Sequence, residues 1–345
     1  MKNNFSKNIL LEDLISTDKK INIMYHRDMD GIIGAAQILH FLKIQNIDPD
    51  QYSFVGCQYK EDYLKNIPDL EIGGNIIIFI DFSPTIEELE IIVNLNEVVV
   101  IDHHIGAIKK LENFDHPNFK YWFDMEKAGC GLADEIFIGD SRDHISFDRM
   151  KVLSNYAQDR DLWRFDLEES KEINVGLFEL FENLNLNFHD VYGLYDLLNL
   201  PIKYEDIWYD VDDETFIDLL IELGNSRINY DNKYVNKIFV AAEKGIIPKI
   251  NIGGIEMFCL NNKLLISEIG NKLTELHYPS CQYFIVHENK NGLLQEPKVV
   301  LSFRSTDDLP DVRLVATSLG GNGHRNACGA EIKVEELSLL LAGKL

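Results

Sequence analysis

Three polar clusters stand out in the chain, each closing an apolar run. INIMYHRDMDG (Ile21 to Gly31) ends in His26, Asp28 and Asp30, NIIIFIDF (Asn75 to Phe82) ends in Asp81, and VVVIDHH (Val98 to His104) ends in Asp102, His103 and His104. Carboxylates and imidazoles gathered at the ends of buried strands must be paired or must hold a cation, because leaving them bare there is costly. Mixed oxygen and imidazole donors suit divalent ions that act on phosphates, Mn2+ among them. A further aspartate pair sits in DRDLWRF (Asp159 to Phe165). His26, Asp28, Asp30, Asp81, His103 and Asp159, with Asp102 and His104 beside them, make a set large enough for two metals. At a spacing of about 3.5–4 Å such a pair activates a water and neutralises the phosphoryl oxygens as the leaving group departs. One carboxylate must bridge the two, and Asp81, at the tip of the middle motif, is the candidate. In His26-x-Asp28-x-Asp30 the alternation lets one segment feed both sites. A single strand-end aspartate is ordinarily a helix cap or turn former. The weight lies in the joint order: H-x-D-x-D-G, then an apolar run to D, then an apolar run to D-H-H.

The elements that must position these groups alternate. Residues 21–25, 52–58, 75–80 and the run ending at Ile101 read as strands, with helices at 31–42 and 84–93, the latter opening at Pro84. This βαβ order implies a mostly parallel sheet flanked by helices. Residues 127–137 and 147–158 read as helices leading into DRDLWRF. From 174 to 244 apolar residues recur at helical spacing among many acids, a helical connector with one long helix from about 214. Beyond Pro248 strands return at 255–260, 283–288 and 298–305, with helices at 266–276 and 312–319, a smaller second α/β domain. The expected division is 1–185 for the metal-binding domain, 186–245 for the connector and 246–345 for the second domain.

At 345 residues, 46% hydrophobic and 26% charged, the chain can build two domains with a sizeable core. No window approaches a membrane span. The N-terminal stretch carries acids and lysines where a signal peptide needs an apolar centre, so a cytoplasmic location is expected. Five scattered cysteines without a C-x-x-C pair argue for reduced thiols. The net charge of −24 and the lack of a basic run count against grip on long nucleic acid, which needs phosphate neutralisation. Small phosphate ligands, drawn in by cations and a few placed residues, fit better.

The first ~165 residues resemble the catalytic domain of the DHH phosphoesterase superfamily, whose members share these motifs and a two-Mn2+ site. That resemblance implies that His26, Asp28 and Asp81 hold one metal, and that Asp30, Asp81, His103 and Asp159 hold the other. Asp159 takes the last position because DRDLWRF resembles the family's DTGSFRF-like segment, with Asp161 as the competing choice. Asp102 then stands behind the ligands and orients an imidazole. His104 contacts the phosphate or helps protonate the leaving oxygen. Mn2+ is the expected ion, with Mg2+ or Co2+ as alternates.

Near the C-terminus, GGNGHRNACGAEI (Gly320 to Ile332) brings Gly320, Gly321, Gly323 and Gly329 beside His324 and Arg325. Such glycines let backbone N–H groups approach an anion, and the two side chains add donors. The segment resembles the GGGH motif of the DHHA1 domain, with Asn322 in place of a third glycine. SFRS (Ser302 to Ser305) resembles the family's R-S element, with Arg304 as a clamp on a terminal phosphate or base and Ser305 beside it. The expected protein is therefore an Mn2+-dependent phosphodiesterase of two α/β domains. Its expected substrates are short oligonucleotides or linear dinucleotides (nanoRNA or pApA type), released as nucleoside monophosphates. No binding of long duplexes or membranes is expected, and a homodimer is left open. The nearest alternatives are a RecJ-like single-strand exonuclease and a phosphatase acting on a signalling nucleotide. A non-enzymatic nucleotide-binding scaffold would be expected to have lost ligand positions, and here each is filled.

Overall fold

A computed structural model describes residues 2–344 except 60, 140–145, 187–189, 200–201, 205–206, 210–212, 288, 291–292 and 295. The chain forms two compact units, Met1–Arg227 and Ile228–Leu345, and the boundary falls inside one long helix.

The first unit is built on a six-stranded sheet of β1 (Lys2–Asn3), β2 (Ile21–His26), β3 (Tyr52–Cys57), β4 (Ile76–Ile80), β5 (Glu97–Asp102) and β6 (Phe119–Phe123). Its order is β1-β6-β5-β4-β2-β3; five strands run parallel, and β1 closes one edge antiparallel to β6. β2, β4 and β5, which carry the three polar clusters, are the central neighbours. Their pairing sets Tyr25 beside Ile80 and Ile80 beside Ile101, so the residues that follow emerge together at the same edge. That is where α/β sheets place their ligands.

The helices of this unit are α1 (Lys7–Ser16), α2 (Met29–Ile44), α3 (Ile86–Val93), α4 (Ile105–Leu111), α5 (Gly129–Ala133), α6 (Ser146–Asp161), α7 (Ser170–Asn183) and α8 (Val191–Asn199), followed by the boundary helix α9 (Asp213–Glu243). Residues 29–42 of α2 are all buried, because α2 lies between the sheet and a second shell of helices that includes α5, α6 and α8. Its near-continuous apolar sequence, IIGAAQILHFL, is the signature of that double burial. On the other face, Leu89, Ile92 and Val93 of α3 and Ile108 and Leu111 of α4 pack on Phe79, Val98 and Val100.

The structure differs from the sequence reading in several elements. FKYWF, Phe119–Phe123, is a strand that the reading missed; three of its residues are buried, so it lacks the alternation of a half-exposed strand. The helix expected at 127–137 is a short α5 that widens into a π-turn at Asp134–Ile138. The stretch read as helical connector contains a hairpin of β7 (Ile202–Tyr204) and β8 (Ile207–Tyr209); its residues 187–189, 200–201, 205–206 and 210–212 lie outside the described ones.

The second unit holds the remaining sheet of β9 (Lys249–Ile252), β10 (Ile255–Asn261), β11 (Ser280–Val286), β14 (Lys298–Arg304), β15 (Asn322–Gly323) and β16 (Ala327–Lys333). β12 (Asn289–Lys290) and β13 (Leu293–Leu294) form a separate small hairpin. The sheet order is β15-β16-β14-β11-β10-β9, with β10–β11 the parallel pair. The helices are α10 (Ile266–Thr274), α11 (Arg313–Ser318) and α12 (Val334–Leu341). β9 and β16 were not expected from the sequence. All five cysteines are buried and none is in a disulfide. Among the described residues no helix is long and apolar enough to cross a membrane.

Candidate metal centre

The first cluster is held by a strand-to-helix turn. β2 ends at His26, and Asp28 caps α2 by accepting a 2.9 Å hydrogen bond from the Gly31 N–H. Gly31 is required there: a Cβ would lie 2.2 Å from the His26 carbonyl oxygen. Asp30, in the first turn of α2, is buried, and both its carboxylate oxygens accept backbone N–H bonds from the start of α5, Gly129 at 2.7 Å and Cys130 at 2.8 Å. Asp81, 1% exposed, follows β4 in the left-handed backbone region, φ +55°. A non-glycine residue rarely adopts that conformation, and such strain gathers at functional sites. An Asp81 N–H bond to the Ile101 carbonyl holds it in place.

The ligand atoms fall into two groups joined by Asp81. His26 Nδ1 lies 2.7 Å from Asp28 Oδ2 and 3.6 Å from Asp81 Oδ2. His103 Nε2 lies 3.1 Å from Asp81 Oδ1, 3.5 Å from Asp161 Oδ2 and 3.7 Å from Asp30 Oδ2. The two oxygens of one buried carboxylate therefore face different imidazoles, the arrangement a bridging ligand needs. His26 Nδ1 is buried and has no aligned hydrogen-bond partner, while its Nε2 is 3.2 Å from the Gln58 side-chain oxygen. With a cation in place, a proton kept on Nε2 and bonded to Gln58 would leave the Nδ1 lone pair for the metal, the usual state of a metal-binding imidazole.

The electrostatics point the same way. Burial, and then the charges of Asp28 and Asp102, raise Asp81 to about 7; burial, with Asp81 and Asp161, also raises Asp30 well above the ordinary carboxylate range. Burial disfavours the imidazolium of His26, yet Asp28 and Asp81 outweigh it and raise that ring to about 10. So many acids at one buried edge call for positive charge. Among the described residues the donors form three overlapping sets close enough to share an ion, His26–Asp28–Asp81, Asp30–His103–Asp161 and Asp81–Asp102–His103–His104, and their oxygen and imidazole atoms fit divalent cations.

Asp102 is fully buried, and its Oδ1 accepts from the N–H groups of His103 (2.7 Å) and His104 (3.2 Å) and lies 2.7 Å from His104 Nδ1. Its other oxygen accepts the Ser83 hydroxyl. The imidazole it orients is thus that of His104, whereas Asp102 reaches His103 only through the main-chain N–H. Burial works against the His104 imidazolium, but Asp102 overrides it and lifts the ring to about 9.

Asp159, the expected last ligand, lies outside the groups of candidate ligand atoms, and Asp161, the competing choice, lies within one. Asp159 is 5% exposed, and its carboxylate accepts the N–H groups of Asp166 (2.9 Å) and Leu167 (3.3 Å), which ties the loop after α6 to the helix. Asp161, two residues on and therefore turned to another face of α6, joins the Asp30–His103 group. Gln58, Ser83 and Gly129 were not singled out from the sequence. Gly129 is constrained because a Cβ there would meet Asp81 Cβ at 2.3 Å.

The second-domain residues gather at one sheet edge of their own unit. Arg304 pairs in register with Ala327, and the Ser305 N–H bonds to the Asn326 carbonyl, so the end of β14 lies against the turn carrying His324 and Arg325. The Arg304 guanidinium donates to the Ser267 hydroxyl at 3.0 Å and to the Phe303 carbonyl at 2.8 Å. A Cβ at Gly270 would meet Arg304 Cγ at 2.5 Å. These contacts give SEIGNKL (Ser267 to Leu273) a physical role, to seat that arginine. Ser305 is buried and donates to the Pro310 carbonyl, while Arg325 donates to the carbonyls of Asp307 and Leu309. His324 is exposed. Gly320 (φ +75°) and Gly323 (φ +136°) need left-handed or extended-positive backbone, and Gly321 packs so closely on Gly329 that a Cβ would lie 2.1 Å from its carbonyl.

An α/β domain with two imidazole–carboxylate groups bridged by one aspartate at the sheet edge defines a candidate binuclear metal protein. Residues 20–157 match the model of the DHH family, N-terminal domain. The chain is 27% identical over 339 residues to uncharacterized protein R106 of Acanthamoeba polyphaga mimivirus, covering 94% of this chain and 72% of that one. In fold it is similar to RecJ in complex with Mn2+ from Thermus thermophilus, with a TM-score of 0.56 at 15% identity over 98% of this chain and 53% of that one. It is also similar to an exonuclease RecJ bound to manganese, with a TM-score of 0.54 at 15% identity over 98% and 92%. The chain spans about half the length of the Thermus protein.

Proposed function

We propose that the protein is an Mn2+-dependent phosphodiesterase that hydrolyses short oligonucleotides or linear dinucleotides to nucleoside monophosphates. The observation that carries this reading is the bridging geometry of Asp81, with Oδ2 toward His26 and Oδ1 toward His103. In this reading His26, Asp28 and Asp81 hold one cation, and Asp30, Asp81, His103 and Asp161 hold the other. Bound there, two divalent cations supply the charge that activates a water and neutralises the phosphoryl oxygens.

The chain's own residues do the rest. Gln58 fixes the His26 ring so that Nδ1 faces the centre. The α5 N–H groups hold Asp30 in place. Asp102 fixes the Nδ1 side of His104, which leaves Nε2 to donate to a phosphate oxygen or to the departing alkoxide. In the second unit, Arg304, His324 and Arg325 beside the glycine turn are proposed to bind substrate phosphate or base, as the DHHA1 resemblance implies. With them goes the proposed division at 1–185, 186–245 and 246–345. A cytoplasmic setting accords with the free cysteines. The acidic net charge favours short substrates over long strands.

The test is turnover by the purified protein with Mn2+ of pApA, a five-nucleotide RNA, long single-stranded DNA, cyclic dinucleotides and pyrophosphate. The linear dinucleotide and the short RNA should be cleaved fastest, and Asp81→Ala should abolish cleavage while circular dichroism stays native. Turnover of pyrophosphate alone, or activity surviving in Asp81→Ala, overturns the assignment.

A further inference from the structure

α6 ends at Asp161, and the chain then turns through Trp163 and Phe165 with left-handed backbone at both, φ +54° and +53°. Bulky residues seldom enter that region. Asp159 enforces it. Its carbonyl accepts the N–H groups of Arg164 (2.9 Å) and Phe165 (3.4 Å), and its carboxylate those of Asp166 and Leu167. The turn leaves Trp163 68% exposed, braced edge-on by Phe165 with ring centroids 5.0 Å apart. A single exposed aromatic needs no explanation by itself. Its position does: Trp163 lines the same cavity, about 290 Å³, as Asp28, Asp30 and Asp161. Arg160 and Phe178 line it too, and the Arg160 guanidinium lies over the Phe178 ring at 5.1 Å.

One cleft thus joins three carboxylates of the metal centre to a flat π-surface and a cationic side chain. A phosphate seated at the metal centre leaves the rest of its nucleotide beside the indole. Nucleobases stack on aromatic side chains whatever their identity, because each has a π-face. A guanidinium nearby suits the ribose–phosphate side of such a ligand in an otherwise acidic chain.

We propose that this cleft is a nucleobase subsite, in which the Trp163 indole stacks on the base of the nucleotide whose phosphate sits at the metal centre. Asp159 is the positioning residue that presents it. The inference rests on the phosphodiesterase reading and adds the feature by which the site selects nucleotides over phosphates that lack a base. It also implies little discrimination among the bases.

The experiment is equilibrium binding of 5′-AMP and of ribose 5-phosphate to the full chain with Mn2+, by calorimetry and tryptophan fluorescence. The wild type, Trp163→Ala, Trp163→Phe and Asp159→Asn are compared. The wild type should prefer AMP by about 5- to 150-fold, the range that one base–aromatic stack supplies. Trp163→Ala should bring the preference close to one, and Trp163→Phe should keep most of it. Asp159→Asn should shrink it without changing the Mn2+ bound per chain, which a structural role alone would not do. Equal wild-type affinity for the two ligands, no AMP binding, or a preference intact in Trp163→Ala overturns the subsite. None of these readings needs turnover, so a failure to cleave dinucleotides refutes the reaction separately.

Discussion

Gly129→Ala tests whether the metal centre depends on the close approach of α5. The new Cβ would lie 2.3 Å from Asp81 Cβ, 2.9 Å from Asp81 Cγ and 3.1 Å from Asp30 Oδ2. Carbon atoms settle about 3.5–4.0 Å apart, so something must move by roughly 1 Å or more. Asp81 has little room, being buried and held through its N–H to the Ile101 carbonyl. α5 can retreat only by stretching the 2.7 and 2.8 Å hydrogen bonds that Gly129 and Cys130 donate to Asp30. Overpacking of this kind costs about 1–3 kcal/mol, and a displacement near 1 Å at a catalytic centre costs about 10²-fold in rate. The expected result is a loss of about 1–3 kcal/mol in urea unfolding without metal. With it should come turnover down about 10²-fold and weaker Mn2+ binding by calorimetry. Because a weaker ligand stabilises less by mass action, the stabilisation that Mn2+ confers should shrink as well. A Gly129→Ala protein with wild-type turnover and Mn2+ affinity within about twofold would refute the packing argument, since about 1 Å cannot be absorbed there without moving a ligand.

Asp161→Asn should lose one of the two Mn2+ ions by calorimetry and elemental analysis, whereas Asp159→Asn should keep both; the reverse pattern would restore Asp159 as the ligand. Asp102→Asn should lower turnover about 10²- to 10⁴-fold with metal stoichiometry intact, because it frees the His104 ring without removing a ligand, and unchanged turnover would remove His104 from the chemistry. The pH response of the metal-free protein has a definite sign. His26, raised from 6.5 to about 10, contributes stability that is full below 6.5 and is lost as pH rises through 10. For Asp81, raised from 3.8 to about 7, the loss comes as pH rises from 3.8 through 7. Since cations displace those protons, Mn2+ affinity should rise with pH. The melting temperatures with and without Mn2+ should therefore diverge between about pH 6 and 9, and parallel curves would count against proton displacement at this cluster.

The three strand-end clusters were legible because they follow from periodicity alone. Apolar runs of five or six residues predicted buried parallel strands, and parallel pairing in register brings their ends together. The central position of Asp81 was legible for the same reason, because β4, which it follows, lies between β2 and β5. What the runs could not show were partners supplied by other segments. Gln58 follows β3, an unremarkable sequence, and is drawn to His26 only because β3 pairs with β2. Gly129 looks like any helix-start glycine until α5 meets Asp30. In the second unit the register explains why Arg304 and His324 share an edge. The partners of Ser305 and Arg325, backbone carbonyls at 307–310, depend on a loop path that carries no pattern.

The choice between Asp159 and Asp161 shows where the limit lies. Both stand in one segment, and motif alignment favours the first. In an extended backbone residues two apart share a face, so either could reach the same site. In a helix they are separated by about 200°, and only one can. The outcome therefore turned on where α6 ends. Because the helix persists to Asp161, its last turn aims that carboxylate at His103 and leaves Asp159 on the face toward the returning chain. There Asp159 takes the N–H groups of Asp166 and Leu167, and those bonds stabilise the left-handed turn that carries Trp163. Helix ends are the least legible feature of a sequence, since capping and loop path decide them together. Here that boundary sets both which aspartate joins the Asp30–His103 group and where the aromatic surface beside it lies. A shift of α6 by two residues would exchange the roles of the two aspartates, which is why Asp159→Asn and Asp161→Asn must be measured as a pair.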